Sequence, residues 1–235
     1  MFEVLNIHAE GEGYIVYLLL KSLVADGNLN LCLRFLDRPI FPKKGKNVAL
    51  LPKLEENLKP IYLHLENVQI LSKDCKDLKN CQTVEGSFIL SALRVVLKKL
   101  ETSLVERLEK FQFEAKEINQ TLLEKLSFYV PLLVGKRESV VYAWKYYLGL
   151  KGVPSVSFLY PRDFDLLKEV VFNPAFGDKI FPLLLGRVSK EVENLLKEEG
   201  LVPYRVEMEG KDNLDSELKL IFLAKTVAKN LKKLV

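Results

Sequence analysis

The chain is poor in the residues that build metal centres and covalent frameworks: of 235 residues, three are cysteine and two are histidine. Cys32, Cys75 and Cys81 are odd in number and form no C-x-x-C pair, and His8 and His64 stand far apart. That spacing supplies neither a zinc set nor a disulfide framework, so no metal is expected. Long apolar runs are missing as well. The longest, Tyr14 to Leu20, falls far short of the ~20 residues a spanning helix needs. Glu3 interrupts the N-terminus before a signal-like stretch develops, and the expected setting is a reducing cytoplasm with no membrane partner.

An excess of charge of one sign is also lacking, since 35 basic side chains stand against 31 acidic ones for a net charge of +4. A nucleic-acid binder collects its cations on one face or element. The densest basic run, Lys229 to Lys233, instead falls on the last turns of a C-terminal helix, where cations complement the helix dipole. Nucleic acid is therefore not an expected partner.

What is present is ample apolar content, 49% of residues, enough for a sizeable core in one large domain or two small ones. Phe2 to Ile7 reads as a strand, Glu10-Gly11-Glu12-Gly13 as a turn and Tyr14 to Ala25 as a helix. Leu29 to Phe35 alternates and reads as a strand. Lys43-Lys44-Gly45-Lys46 marks a loop, and Asn47 to Leu51, Ile61 to Leu65 and Val68 to Leu71 are further strands. From Gly86-Ser87 a helical period runs to about Leu126, with Ser87 as a candidate N-cap and a break near Phe111 to Glu117. The second half alternates cleanly: strands Val130 to Val134, Ser155 to Leu159, Ile180 to Leu185 and Tyr204 to Met208. Helices Ser139 to Leu148, Phe164 to Val171, Ser189 to Glu199 and Asn213 to Leu234 lie between and after them. Such alternation predicts βαβ units and a parallel sheet.

Val130 to Ser139 is the most informative stretch: an apolar strand, one glycine, two cations, then a helix start. A basic turn feeding a helix N-terminus is the arrangement with which α/β proteins hold anions. Gly135, Lys136, Arg137 and Ser139 are therefore the candidate anion-binding residues. Gly186-Arg187-Val188-Ser189 is a weaker echo, in which Ser189 also suits a plain N-cap. Gly11 and Gly13 fit a tight strand-to-helix turn better than a dinucleotide fingerprint, so no cofactor is expected. His8 could reach a crevice at the end of the first strand or simply pack. Asp163 and Asp165, beside Arg162, could pair as acids or cap a helix. The helix bearing Tyr142, Trp144, Tyr146 and Tyr147 is apolar on most sides and needs burial against the other half or across a two-fold axis, so a homodimer is expected.

Val130 to Gly135, Ala143-Trp144-Lys145, Lys151 and Tyr160-Pro161-Arg162 follow one another in a telling order. Phe181 to Gly186, Lys190 to Gly200 and Val206 to Gly210 continue it before the terminal helix. This succession, over roughly Tyr129 to Val235, resembles the C-terminal domain of the sugar isomerase (SIS) family, most closely the bifunctional phosphoglucose/phosphomannose isomerases. The resemblance implies two SIS-like three-layer α/β halves with mainly parallel sheets. Residues 1–126 would form a smaller, irregular N-terminal half that includes connecting helices, and 127–235 the C-terminal half. It adds Lys151 to the candidate ligand-binding residues and implies a phosphorylated sugar, or another small anion, as ligand.

Aldose–ketose isomerisation needs a base to move a proton between neighbouring carbons and an acid or base to open the ring. At the positions where the family carries its glutamate and histidine, this chain has Leu148 and Asp165. The arginine after the family's first-half turn is absent from Gly86-Ser87-Phe88-Ile89. The family's phosphate loop falls near Leu51 to Glu56, where no hydroxyl occurs, Pro52 removes a donor and Glu12 adds a repelling charge. The expectation is a phosphosugar-isomerase-like protein without its catalytic residues. A working isomerase and a dimeric interaction scaffold are the alternatives.

Overall fold

A computed structural model describes residues 3–55, 59–75, 78–98, 100–114, 118–177 and 179–231. The chain divides into two compact units, Met1–Phe111 and Gln112–Val235. Helix Gln120–Phe128 runs directly into the strand that starts at Val130, and so counts with the second unit.

The first unit runs β1 (Glu3–Ala9), α1 (Glu12–Ala25), β2 (Leu31–Phe35), β3 (Lys46–Leu50), α2 (Lys59–Leu63), β4 (Val68–Ser72), β5 (Cys81–Thr83), α3 (Phe88–Leu97) and α4 (Thr102–Glu109). Its five strands lie in the order β2-β1-β3-β4-β5, all parallel. Strands β1 and β3 are buried over most of their length, as strands covered on both faces must be. Helix α1 approaches β3 so closely that a Cβ on Gly13 would stand 2.1 Å from the Leu50 carbonyl oxygen, which accounts for the glycine. The opposite face carries Ala49, Leu51 and Ile70 against Tyr62 of α2 and Leu78.

Three expectations are corrected in this unit. Ile61 to Leu65 is not a strand, because Ile61 to Leu63 belong to α2. Parallel neighbours β3 and β4 need a crossover, and Pro60 sits at the start of a helix, where its missing N–H is tolerated. Cys75 and Cys81 form a disulfide, because the tight return from β4 to β5 brings their Cα atoms to 5.4 Å. Cys32 alone is a free thiol. Finally, the helical period from 86 to 126 resolves into α3, α4 and the helix Gln120–Phe128. Ser87 holds the N-cap position of α3, yet its hydroxyl makes no cap bond. Phe2, Glu56 and residues 115–117 of the expected break lie outside the described residues.

The second unit runs α5 (Gln120–Phe128), β6 (Val130–Gly135), α6 (Glu138–Gly149), β7 (Val156–Leu159), α7 (Phe164–Val171), β8 (Ile180–Leu185), α8 (Lys190–Glu198), β9 (Tyr204–Val206) and α9 (Asn213–Asn230). The four strands are parallel in the order β7-β6-β8-β9. Leu132, Val134 and Leu184 point to one face, where Leu167 of α7 and Val192 and Leu196 of α8 cover them. Gly135 faces the other side, where its Cβ would meet Val141 of α6 at 2.7 Å. Helix α6 packs there with α9, which buries Trp144 and Tyr147 within this unit. The apolar girth of α6 is thus largely satisfied by its own sheet and by α9. Residues 232–235, with most of the lysine run, lie outside the described residues. Among the described residues no helix is long and apolar enough to cross a membrane.

Candidate anion site

In an open parallel sheet, ligands favour the crevice at the carboxyl ends of the strands where the strand order reverses. In the second unit that switch point lies between β6 and β8. Gly135 is paired with Leu185, and neighbouring strands stand ~4.8 Å apart. The turns Lys136-Arg137 and Gly186-Arg187 therefore emerge side by side. Lys136 and Arg187 are both exposed, and among the described residues neither has a carboxylate partner. The Lys136 ammonium lies 5.9 Å from the centre of the Tyr160 ring, near enough for cation–π attraction. Tyr160 follows β7 and its hydroxyl donates to Glu191 Oε2, in the first turn of α8, at 2.9 Å.

Arg137 and Ser139 are engaged differently. Arg137 holds the N-cap position of α6 and Ser139 lies inside the first turn, with 0% exposure. Its Oγ donates to Glu217 Oε2 at 2.6 Å, and Arg137 Nε stands 3.2 Å from Glu217 Oε1. Glu217 comes from α9 and is only 3% exposed. A carboxylate of the chain itself thus occupies the first turn of α6, where the helix dipole is positive. Lys151 lies in the turn beyond the far end of α6, about 18 Å away at 1.5 Å per residue, and does not join the other candidates.

The remaining candidates have structural roles. Ser189 caps α8 by accepting from the Glu191 N–H at 3.3 Å. Asp163 stands at the N-cap of α7 but accepts instead from the Leu159 N–H at 2.9 Å and from Arg162. The hydrogen bond from Arg162 holds its carboxyl below the usual range, and the Leu159 N–H adds to this. Asp165 has a side chain 94% exposed and pairs with Lys168 at 3.2 Å. Leu148 is fully buried. His64 is exposed at the end of α2.

The first unit has its own switch point, between β1 and β3. Gly11, with φ 52°, turns the chain there, and the Glu10 N–H donates to the Leu50 carbonyl at 3.2 Å. Glu12 is buried in the first turn of α1, with its carboxylate 3.9 Å from Lys73 Nζ. A helix N-terminus that serves phosphate elsewhere here meets an internal acid once more. His8 is buried; its Nδ1–H donates to the Leu36 carbonyl at 2.8 Å and Nε2 faces Glu10 at 3.5 Å, so it packs the chain after β2. Burial pushes the Tyr62 hydroxyl well above its ordinary pKa, with the Glu10 charge adding to the rise. Among the described residues no cluster of histidine, cysteine and acids suits a metal ion.

Glu217 was missed at the sequence level. Its signal was legible: it lies among Leu214, Leu218, Ile221 and Ala224, on the buried stripe of an amphipathic helix, where an acid requires a partner.

Two parallel sheets with helices packed against them form an α/β fold that solved structures of the sugar isomerase type share. The chain superposes on a protein from Salmonella typhimurium, described provisionally as sugar-binding, with a TM-score of 0.64 and 13% identity, covering 97% of this chain and 87% of that one. A glucose-6-phosphate isomerase like protein from Thermus thermophilus gives 0.55 and 14%, covering 97% and 84%. Tagatose-6-phosphate ketose/aldose isomerase from Escherichia coli gives 0.55 and 10%, covering 99% and 84%. No family model matches the chain. No curated protein matches it either.

Proposed function

We propose that the protein uses the sugar isomerase fold to bind a phosphorylated sugar, or another small anion, without isomerising it. The observation that carries this reading is the pair of exposed cations, Lys136 and Arg187, on adjacent turns at the second switch point. Gly135 supports the site by letting α6 close on β6. Arg137 and Ser139 belong to the same turn, and an incoming anion competes there with Glu217. The glucose-6-phosphate isomerase like protein and the tagatose-6-phosphate ketose/aldose isomerase among the structural neighbours favour a sugar phosphate among small anions.

Isomerisation needs groups that carry protons. Leu148 has none, and Asp165 is solvated and paired with Lys168. An active phosphoglucose/phosphomannose isomerase is therefore the less supported reading. The alternative is a dimeric interaction scaffold, for which the internal carboxylate of Glu217 at the first turn of α6 would be a purely structural contact. Coupled turnover of fructose 6-phosphate and thermal shift with the same compound separate these readings. A shift without turnover is expected, turnover would overturn the proposal, and no shift with fructose 6-phosphate or inorganic phosphate would leave the scaffold. We take the chain to be a homodimer, for which light scattering should give twice the chain mass.

A further inference from the structure

We infer a separate binding site in the first unit for a small organic monoanion with an apolar body. A cavity of about 440 Å³ opens at the N-terminal edge of the first sheet, the opposite end of the strands from the switch point. This volume falls within the ~300–1,000 Å³ of ligand pockets. The floor is aliphatic, with Leu5 and Val48 from the sheet and Val95 and Val96 from the last turns of α3. The mouth is polar, formed by Lys43 and Lys46 of the basic loop together with Asn67 and Gln69.

The mouth is held in shape by buried amides. Asn6 Nδ2 donates to Asn47 Oδ1 at 2.9 Å and to the Lys44 carbonyl at 3.2 Å, and Asn47 Nδ2 donates to the Pro42 carbonyl at 2.9 Å. Gly45, with φ +93°, lies against this pair with no room for a Cβ, which would stand 2.9 Å from Asn6 Nδ2. The loop Pro42 to Lys46 is therefore fixed to the sheet before any ligand arrives, which lowers the ordering cost of binding.

Charge selects the ligand. Lys46 is paired with Glu3, whereas among the described residues Lys43 has no acidic partner. The mouth thus carries one uncompensated positive charge. The carbonyl end of α3 borders the same cavity and adds partial negative charge, which disfavours a dianion. A carboxylate head at Lys43, with a hydrocarbon body on Leu5, Val48, Val95 and Val96, satisfies both ends. The ligand class is a medium-chain carboxylic acid of roughly ten carbons, a body that fits within a pocket of this size.

Calorimetric titration of the full chain with decanoate tests the assignment. Decanoate is expected to bind, while acetate, which lacks the body, and decylammonium, which reverses the head, are not. Lys43→Ala should weaken decanoate about threefold, as suits an exposed pair. Val95→Trp should abolish binding by filling the floor. Asn67→Trp, at an exposed rim position, should do the same without touching the core, so a folding defect in the first variant leaves the test intact. Lys136→Ala with Arg187→Ala should leave decanoate binding unchanged, which separates this site from the proposed sugar-phosphate site. Failure of decanoate to bind the wild-type chain, equal binding of decylammonium, or undiminished binding in Asn67→Trp would overturn the inference.

Discussion

Replacing Glu217 with alanine is expected to destabilise the second unit by about 2–3 kcal/mol. Breaking a buried ion pair by removing one partner commonly costs ~3–5 kcal/mol, because the other charge is left uncompensated. Here the figure is reduced, since the Arg137 side chain keeps 32% exposure and water can screen it. Ser139 adds in the other direction: its fully buried hydroxyl loses the 2.6 Å acceptor, and an unsatisfied buried donor costs about 1–3 kcal/mol. Glu217→Gln keeps an acceptor for Ser139 and removes only the charge, so about 1 kcal/mol is expected. Urea unfolding followed by fluorescence reads this unit selectively, because Trp144, the only tryptophan of the chain, is buried in α6. A double-mutant cycle with Arg137→Ala should give a coupling of about 1–2 kcal/mol, well above the ~0.3–0.5 kcal/mol within which independent sites add. Inorganic phosphate should then stabilise Glu217→Ala more than the wild type, since the vacated first turn of α6 can accept an anion. A Glu217→Ala variant within ~0.5 kcal/mol of the wild type, or a coupling inside the additive range, would refute the idea that this carboxylate fills an anion position.

Three further outcomes follow from the described contacts. Asp163 has a carboxyl held below the usual range by Arg162 and the Leu159 N–H, so its contribution to stability is present above about pH 4 and is lost as pH falls through the lowered value. Urea midpoints between about pH 2 and pH 5 should fall less steeply for Asp163→Asn, and an unchanged slope would contradict this. Tyr62 is 2% exposed and its hydroxyl has no hydrogen-bond partner among the described residues, so Tyr62→Phe should be neutral or raise stability by up to about 1 kcal/mol. Its raised pKa adds a second expectation: wild-type stability falls as pH rises above about 10, because the unfolded chain ionises first, and the phenylalanine variant should lose that dependence. Thiol titration of the unreduced, denatured chain should count Cys32 alone, and reduction should destabilise the first unit by about 2 kcal/mol, given the short Cys75–Cys81 loop. Three reactive thiols before reduction would remove the disulfide from the account.

The second half was largely legible because each strand there is a short apolar run bounded by turn residues. The strands at Val130 and Ile180 and the helix at Phe164 begin where the pattern indicates. The first half was less legible for physical reasons. Lys59–Leu63 is a single short helix in which Ile61 and Leu63 are exposed and Tyr62 alone is buried, an alternation that imitates a strand. The disulfide closes the short connection from β4 to the start of β5, a pairing that an odd cysteine count hides. At the candidate site, the strand, the glycine and the two cations could be read from adjacent residues. The partner of Arg137 and Ser139 lies 78 residues beyond Ser139 on another helix, and only packing brings it there. The pairing of Lys136 with Arg187 likewise follows from strand order, which no local pattern specifies.

The central claim is that the turns after β6 and β8 hold the anion of a ligand that the protein does not convert. Isothermal titration of fructose 6-phosphate into the wild type and into Lys136→Ala/Arg187→Ala, with the recovered sugar phosphate analysed after each titration, tests it most directly. The account predicts binding to the wild type, at least tenfold weaker binding to the double variant, and unchanged fructose 6-phosphate throughout. Glucose 6-phosphate or mannose 6-phosphate in the recovered material, or equal binding by both proteins, would contradict it.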